Sequence, residues 1–562
     1  MQLSLRAALL VSRFQWKRWE QNTYDPCGAQ TGLLLKIVRQ NQDTLFGRQH
    51  GFRFIKNIDD YRNQVAIGDY ENFRPYIERA KMGERAVLTE APVLMFTITS
   101  GSTGEPKLIP VTESSRASHV KVTRLWYGRA INDHPGCAAG KIFGLVGSAV
   151  EGHTAGGIPY GAASGLIYQS SPHWVRRAHA LPCAIAEIKD FQAKYYTATR
   201  LALEQDVTFI GTPNPSTILR LVETADRFGA DIVKDICDGT LSDRFEIPTR
   251  LRAALADRIE ANPGRALQLE QLIKRQERLR PIDYWPRLRL IGCWKGGSVG
   301  VRLKEFPAWF GANLPVRDLG YMASEAQMSL PISDDGSSGI LAIDANFYEF
   351  IAESEIASAQ PRTLGCDELE VGAVYYLILT TAAGLYRYDI NDLVRIVGLH
   401  GKTPIIEFLR KGRDVTNITG EKLHVNQLIQ AMAQAQSATG LTIQHYRGCA
   451  DADASRYAFA VEFSGPAPGQ QALSALLREL DARLHVLNVE YCQKRESQRL
   501  KAPVLQIMKP GWFERKAGAA LRNGAPDSQY KPQLLTATPE DPAEIVCEID
   551  DANTDTLKQE LR

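Results

Sequence analysis

The strongest constraint on the fold is a repeated pairing of apolar, β-branched segments with loops of small or polar residues. Val93–Thr99 (VLMFTIT) runs into a loop of glycines and hydroxyl residues. Lys141–Val146 ends at Gly147, and Val207–Gly211 ends at Thr212-Pro213-Asn214-Pro215. Leu288–Cys293 ends at Lys295-Gly296-Gly297, and Val374–Thr381 ends at Ala382-Ala383-Gly384. Helical stretches separate these strands, an order that implies α/β layers. In such layers the loops at the carboxyl ends of strands build the binding crevice. Four of these ends are rich in Gly, Ser, Thr or Asn, and the pattern predicts that they share one site.

Leu251–Arg280 is charged and helix-forming, and reads as a surface helical pair broken at Asn262-Pro263-Gly264. After Arg410 the pattern restarts. A helix is expected near Val425–Gln436, a strand near Tyr457–Phe463, a helix near Gln471–His485 and a strand near Val504–Met508. The boundary falls at Leu409–Gly412. It separates an N-terminal domain, 1–409, from a smaller C-terminal α/β domain, 410–562, of about 150 residues.

Composition narrows the functional classes. The 562 residues are 44% apolar and 23% charged, which excludes a disordered or collagenous chain. Lys plus Arg number 66 against 64 for Asp plus Glu, so no global field points to nucleic acid or an anionic membrane. The nine cysteines are scattered with no Cys-x-x-Cys pair, as in a reducing compartment. No apolar run approaches the roughly 18 residues of a membrane helix. Met1–Phe14 has a short apolar patch between Arg6 and Arg13 without a signal-peptide cleavage pattern, and reads as an amphipathic first helix. A cytoplasmic protein is expected. The ten histidines show no metal spacing and no His-Glu-x-x-His, so zinc chemistry is unsupported.

The segment richest in chemistry is Thr99-Ser100-Gly101-Ser102-Thr103-Gly104-Glu105-Pro106-Lys107. Glycines let backbone amides approach an anion, hydroxyls add donors, and Lys107 adds positive charge. The Walker A spacing is absent, and a flexible surface turn is the alternative. A rival pattern is Gly296-Gly297-Ser298-Val299-Gly300, which fits the Gly-x-Ser-x-Gly nucleophile elbow of hydrolases. Pro307 leaves little room for the helix that should follow it.

The loop at 99–107 is similar to the phosphate-binding loop of adenylate-forming enzymes. Its continuation, Leu108-Ile109-Pro110-Val111-Thr112, resembles the acyl acid amido synthetases of the Gretchen Hagen-three type. Further segments match in family order. They are Cys293-Trp294-Lys295-Gly296-Gly297-Ser298, Tyr321-Met322-Ala323-Ser324-Glu325, Leu385-Tyr386-Arg387-Tyr388 to Asp392, Phe408-Leu409-Arg410-Lys411, Gly420-Glu421-Lys422 and Gln529-Tyr530-Lys531-Pro532. Two departures stand out. Asn391 occupies the place where the family often has Gly, and Asp389 a place where it often has a basic residue.

The resemblance implies an α/β fold: a large N-terminal adenylate-forming domain, its β-sheets flanked by helices, and a smaller, mobile C-terminal domain. It implies ATP and Mg2+, a small carboxylic acid, and an amine or amino acid as acceptor. ATP would lie on Ser100, Gly101, Ser102, Thr103, Gly104, Gly297, Ser298, Tyr321, Ser324, Asp392, Arg410 and Lys422. Glu325 would bind both nucleotide and metal, and Lys107, Arg410 and Lys531 would be catalytic. Each also has a plainer reading. Asp392 can be a turn residue, Glu325 a helix-start carboxylate, Ser324 a helix cap, Tyr321 a core aromatic, and the lysines surface charges. An acyl-CoA ligase and a catalytically silent nucleotide-binding protein remain as alternative functions. Neither the acid nor the oligomeric state is fixed by these motifs.

Overall fold

The computed structural model describes residues 14–99, 107–276, 278–296, 298–356, 358, 360–412, 415–463, 465–516 and 534–550. Almost all of the first helix expected over Met1–Phe14 lies outside these residues. The chain divides into two compact units. One comprises Met1–Ile98 and Leu108–Arg410; the other comprises Thr99–Lys107 and Lys411–Arg562.

The first unit contains a parallel sheet in the order Lys141–Phe143, Val207–Gly211, Leu290–Gly292, Val316–Arg317. Apolar residues cover both of its faces, as a parallel sheet requires. On one side Ile210 and Ile291 join a core with the helices Phe191–Leu203, Pro215–Arg227 and Gly229–Asp238. On the other, Phe209 and Leu290 pack with Trp126 of the helix Glu113–Asp133. Helix starts follow their capping chemistry. Asn214 caps Pro215–Arg227 by accepting from Ser216 N, with Pro at the first helical position. Asn262 does the same for Pro263–Arg275, so the expected helix break is a helix start.

A six-stranded sheet runs in the order Phe347–Ala352, Val374–Thr380, Tyr388–His400, Thr403–Lys411, Gly339–Leu341, Ser329–Leu330. Its buried face shares a core with the helices Pro26–Gln40, Ile58–Gln64 and Tyr70–Lys81. Val374–Thr380 therefore belongs to an antiparallel sheet, not to the parallel one. Its end does not join the shared site that the strand pattern predicts. A Cβ at Gly384 would stand 2.6 Å from Leu88 Cβ, so this turn packs on the 88–89 segment. The reason is geometric, since antiparallel strands deliver their carboxyl ends to alternate edges.

The strand Tyr388–His400 carries a bulge. Ile378 pairs with Asp389 and Tyr376 with Leu393, so the single residue Leu377 on one strand faces Ile390, Asn391 and Asp392 on the other. Asn391 lies in this bulge at φ +57°. That left-handed angle accounts for the family's glycine at this place, and Asn is the side-chain residue that tolerates it best. The Asp389 carboxylate accepts the Asn391 N–H at 2.7 Å and closes the turn.

The second unit is a five-stranded mixed sheet in the order Leu535–Thr536, His445–Asp451, Arg456–Glu462, Val504–Met508, Ile545–Asp550. The helices Val425–Thr439 and Gln470–Leu487 pack on it through Leu428, Met432, Leu476, Leu480 and Leu484.

The most strongly bonded charge in the first unit is Arg387, itself at φ +47°. Its guanidinium donates to both Glu349 oxygens, at 2.9 and 3.2 Å. It also donates to the carbonyls of Arg62 and Val65 and to Thr363 Oγ1. Glu349 and Arg387 are both buried. Removing one partner strands the other charge in the interior. Glu349→Ala should therefore lower unfolding stability by about 3–5 kcal/mol, read from urea denaturation. A change below about 1 kcal/mol, the range of an exposed pair, would contradict this.

Candidate nucleotide site

Two loops leave the carboxyl end of the parallel sheet side by side. One follows Leu290–Gly292 and carries Cys293 to Gly296; the other follows Val316–Arg317 and carries Asp318 to Glu325. Cys293 N donates to Arg317 O at 3.1 Å, and Trp294 Nε1 to Gly320 O at 3.1 Å. Thr212 N donates to Gly292 O and Trp294 N to Pro213 O, so the loop after Val207–Gly211 adjoins them. Gly320 has φ +93°, and a Cβ there would stand 2.3 Å from Ser329 O, so only glycine fits.

From Gly320 the chain makes a tight turn. Met328 N donates to Tyr321 O, Met322 bridges Gln327, and Ala323 N donates to Ala326 O. Ser324 and Glu325 sit at its tip. No helix starts here, so the readings of Ser324 as a helix cap and Glu325 as a helix-start carboxylate are corrected. The bonding of 321 to 328 leaves a two-residue tip with no room for a helical turn.

The turn aims at the bulge. The Tyr321 hydroxyl donates to Asp392 Oδ2. The Tyr388 hydroxyl donates to Glu325 Oε1 at 3.5 Å. The Tyr321 ring stacks on Phe408 with centroids 5.2 Å apart. Burial drives the Tyr321 hydroxyl far above its usual range, and the Asp392 carboxylate beside it adds to the effect, so it remains a donor. Asp392 is 1% exposed. It is thus a bulge residue aimed at an aromatic ring and not a turn residue on the surface.

The remaining expected residues fall elsewhere. Arg410 donates to Glu353 Oε1 at 2.6 Å, in a pair more than two-fifths exposed on each side. Lys107 opens the strand Lys107–Thr112 and is grouped with the second unit. Lys422 also belongs to that unit, at φ +46° in a loop organised by its neighbour. The fully buried Glu421 accepts from Ile418 N, Thr419 N, Thr419 Oγ1 and the Tyr457 hydroxyl. Ser100, Gly101, Ser102, Thr103, Gly104, Gly297 and Lys531 lie outside the described residues, as does the Ser298 side chain. The hydrolase elbow is not built. Ser298–Glu305 is a 3-10 run that leads into the five-residue helix Phe306–Phe310, where a longer helix should start.

Among the described residues no group of three or more His, Cys, Asp or Glu could hold a metal ion. None of the described helices is long and apolar enough to cross a membrane. The nine cysteines are all free thiols. Residues that the motifs did not single out as functional include Asp318, Tyr388 and Phe408. Asp318 had one signal, its place two residues before the positive-φ Gly320.

Three family descriptions match this chain. They are the GH3 family N-terminal domain over residues 15–316, the GH3 family central domain over 339–411, and the GH3 family C-terminal domain over 426–540. The chain belongs to the GH3 family. It is 24% identical over 536 residues to jasmonoyl–L-amino acid synthetase JAR4 of Nicotiana attenuata, covering 92% of each chain. It is 22% identical over 554 residues to indole-3-acetic acid-amido synthetase GH3.3 of Arabidopsis thaliana, covering 92% of this chain and 91% of that one. The solved structure of AtGH3.15 acyl acid amido synthetase in complex with 2,4-DB shares its fold. That match has a TM-score of 0.66 at 19% identity and covers 96% of this chain and 97% of that one. The expected family is borne out, and so is the α/β architecture of a large N-terminal and a smaller C-terminal part.

The Tyr321–Asp392 bond yields a prediction about nucleotide binding. If ribose hydroxyls bond the same carboxylate, they compete with the Tyr321 hydroxyl for its lone pairs. Tyr321→Phe keeps the stacking ring and removes the competitor. It should bind AMP at least as tightly as the parent by calorimetry. Weaker binding would show that the hydroxyl itself helps to hold the nucleotide.

Proposed function

We propose that this GH3 chain is an ATP-dependent acyl acid amido synthetase. It adenylates a small carboxylic acid and passes the acyl group to an amine, that of an amino acid, with release of pyrophosphate and then AMP. The observation that carries this reading is the meeting of Tyr321, Glu325 and Asp392 at the end of the parallel sheet. Here an aromatic face, a carboxylate for ribose and a carboxylate for a cation lie on one turn and one bulge.

In the first step a carboxylate oxygen attacks the α-phosphorus and the pyrophosphate leaves. Two anions must approach one another, so positive charge has to be preorganised where the new charge develops. Lys107, Arg410 and Lys531 supply it in this reading, with amides and hydroxyls of Ser100–Gly104 and donors from Ser324, Gly297, Ser298 and Lys422. Arg410 leaves its exposed pair with Glu353 at small cost. Asp392 accepts the ribose hydroxyls, and the buried Tyr321 ring packs against adenine in this reading. Glu325 suits Mg2+, a hard cation that needs one or two protein carboxylates and takes its other ligands from phosphate and water. When bound, the ion neutralises phosphate charge.

In the second step the amine attacks the carbonyl of the mixed anhydride and AMP leaves. Water must be kept from that anhydride. We assign residues 1–409 the nucleotide and acyl sites, and 410–562 the role of a domain that turns about Arg410–Gly412 between the steps. A cytoplasmic location goes with this reading.

The test is a library of carboxylic acids screened by pyrophosphate release, with products made from mixed amino acids identified by mass. A carboxylic acid that triggers release and an amide product support the proposal. A thioester formed with CoA and no amide would sink it. Asp392→Ala should raise the KM for ATP by about tenfold or more, the effect of losing one charged hydrogen bond. A normal ATP KM in that variant would leave Asp392 a structural residue. Lys531→Ala separates the steps. A cation that stabilises pentavalent phosphorus acts only while that charge exists. The variant should lose pyrophosphate release yet still convert synthetic acyl-adenylate and amine to amide. Equal loss in both would assign Lys531 a structural role.

A further inference from the structure

We propose that Asp318 is a positioning residue that latches the two nucleotide-side loops together, setting affinity for the adenine nucleotide without touching the acyl acid. The inference rests on the reading of these loops as the nucleotide site.

Asp318 follows the strand Val316–Arg317 and is 3% exposed. Its Oδ2 accepts Lys295 N at 2.6 Å, and its Oδ1 accepts Gly320 N at 2.6 Å. One side chain therefore ties the loop after Leu290–Gly292 to the root of the turn that carries Tyr321, Ser324 and Glu325. Its backbone is fixed as well, since Trp126 Nε1 donates to Asp318 O at 2.7 Å. The Trp294–Gly320 bond is a second tie between the same loops. The substrate-facing residues are held from behind by a group that reaches no substrate.

The surrounding charges brace this arrangement. The Lys295 ammonium donates to Val316 O at 3.1 Å and to Asp334 O. The buried Arg317 pairs with Asp334 at 2.7 Å and Asp133 at 3.0 Å, and His134 Nε2 lies 2.8 Å from Asp334. The Cys293 thiol, pushed up by burial, stays neutral beside Asp318. The groups facing Asp318 are thus the amides of Lys295 and Gly320, the Lys295 ammonium and one neutral thiol. Burial pushes the Asp318 carboxyl up to about 6, and the amides pull the other way.

This gives the latch a pH signature with a definite sign. Below about 6 the carboxyl takes up a proton and becomes a weaker acceptor for its two amide donors. The loops lose their tie, and nucleotide affinity falls. The effect on fold stability is opposite. A carboxyl titrating near 6 in the fold and about 3.9 when unfolded binds more protons in the native state between those values. Its contribution to stability is fully present below about 3.9 and is lost as pH rises through about 6. A loss of affinity on acidification is therefore not unfolding driven by this group.

The test compares full-length parent, Asp318→Asn and Trp294→Phe by AMP calorimetry from pH 5 to 8, and by pyrophosphate release with ATP and acid varied separately. Asp318→Asn should weaken AMP and raise the KM for ATP by about 10–100-fold, the range of one to two lost charged hydrogen bonds. The KM for the acid and kcat should stay within about threefold, or less than 1 kcal/mol. The acid-side loss of affinity should appear in the parent and be absent from Asp318→Asn, a comparison that cancels the titration of AMP itself. Unchanged AMP affinity in Asp318→Asn, or a KM for acid that rises in step with that for ATP, overturns the proposal. If Asp318→Asn fails to fold, Trp294→Phe carries the test. It should weaken AMP by about threefold or more for one neutral hydrogen bond, and an unchanged value overturns the latch. Should the parent bind AMP but release no pyrophosphate with any acid, the ligase reading fails while the calorimetry still decides the role of Asp318.

Discussion

Arg387 is held at a left-handed backbone angle by its bonds to Glu349, Thr363 and two carbonyls, and one wall of the proposed nucleotide site is built from that fixed point. A guanidinium offers a rigid fork of donors, and here nearly all are spent on buried acceptors. The next residue starts the strand Tyr388–His400, which sends the Tyr388 hydroxyl toward Glu325. Four residues further, the bulge at Asn391 turns Asp392 toward Tyr321. A lysine at 387 would keep the charge and lose the fork, so the register of this strand rests on the shape of the group.

The opposite wall is built differently. The loops after Leu290–Gly292 and Val316–Arg317 have little regular structure, and their order comes from hydrogen bonds to Asp318 and Trp294. A loop at the mouth of a parallel sheet has backbone donors that the sheet cannot satisfy. One buried carboxylate satisfies two of them, and their pull offsets part of the desolvation that raises its carboxyl. The two walls meet where Tyr321 lies between Phe408 and Asp392.

Much of this was legible in the residues. The strands Val207–Gly211 and Val504–Met508 fall where the apolar runs put them, because each is bounded by turn residues and buried along its length. The helices near Gln471–His485 and Val425–Gln436 are longer than expected by one to three residues at their ends. Three strands of the second unit's sheet were missed: Leu535–Thr536, His445–Asp451 and Ile545–Asp550. His445–Asp451 and Ile545–Asp550 alternate poorly and carry charge, so only pairing with Arg456–Glu462 and Val504–Met508 makes them strands. The shared site was half right. The ends of Val207–Gly211 and Leu290–Gly292 adjoin, whereas that of Val374–Thr380 goes elsewhere, because strand direction is not written in a local run. The motif residues Tyr321, Glu325 and Asp392 were found through resemblance. Asp318 was not, since a lone aspartate between strand and glycine has no local mark of the two amides that converge on it.

The two substrates make different demands on the chain. The walls of the proposed nucleotide site depend on backbone geometry: a glycine at φ +93°, an asparagine at φ +57° and a buried arginine at φ +47°. Such positions tolerate few side chains. An acyl pocket demands mainly apolar volume, which many combinations of side chains supply. The relatives accordingly carry the names of different acids, jasmonic and indole-3-acetic, on chains of matching extent. The two demands are written in different physical terms: φ angles and amide donors narrow the choice of residue at a position, whereas side-chain volume leaves it wide.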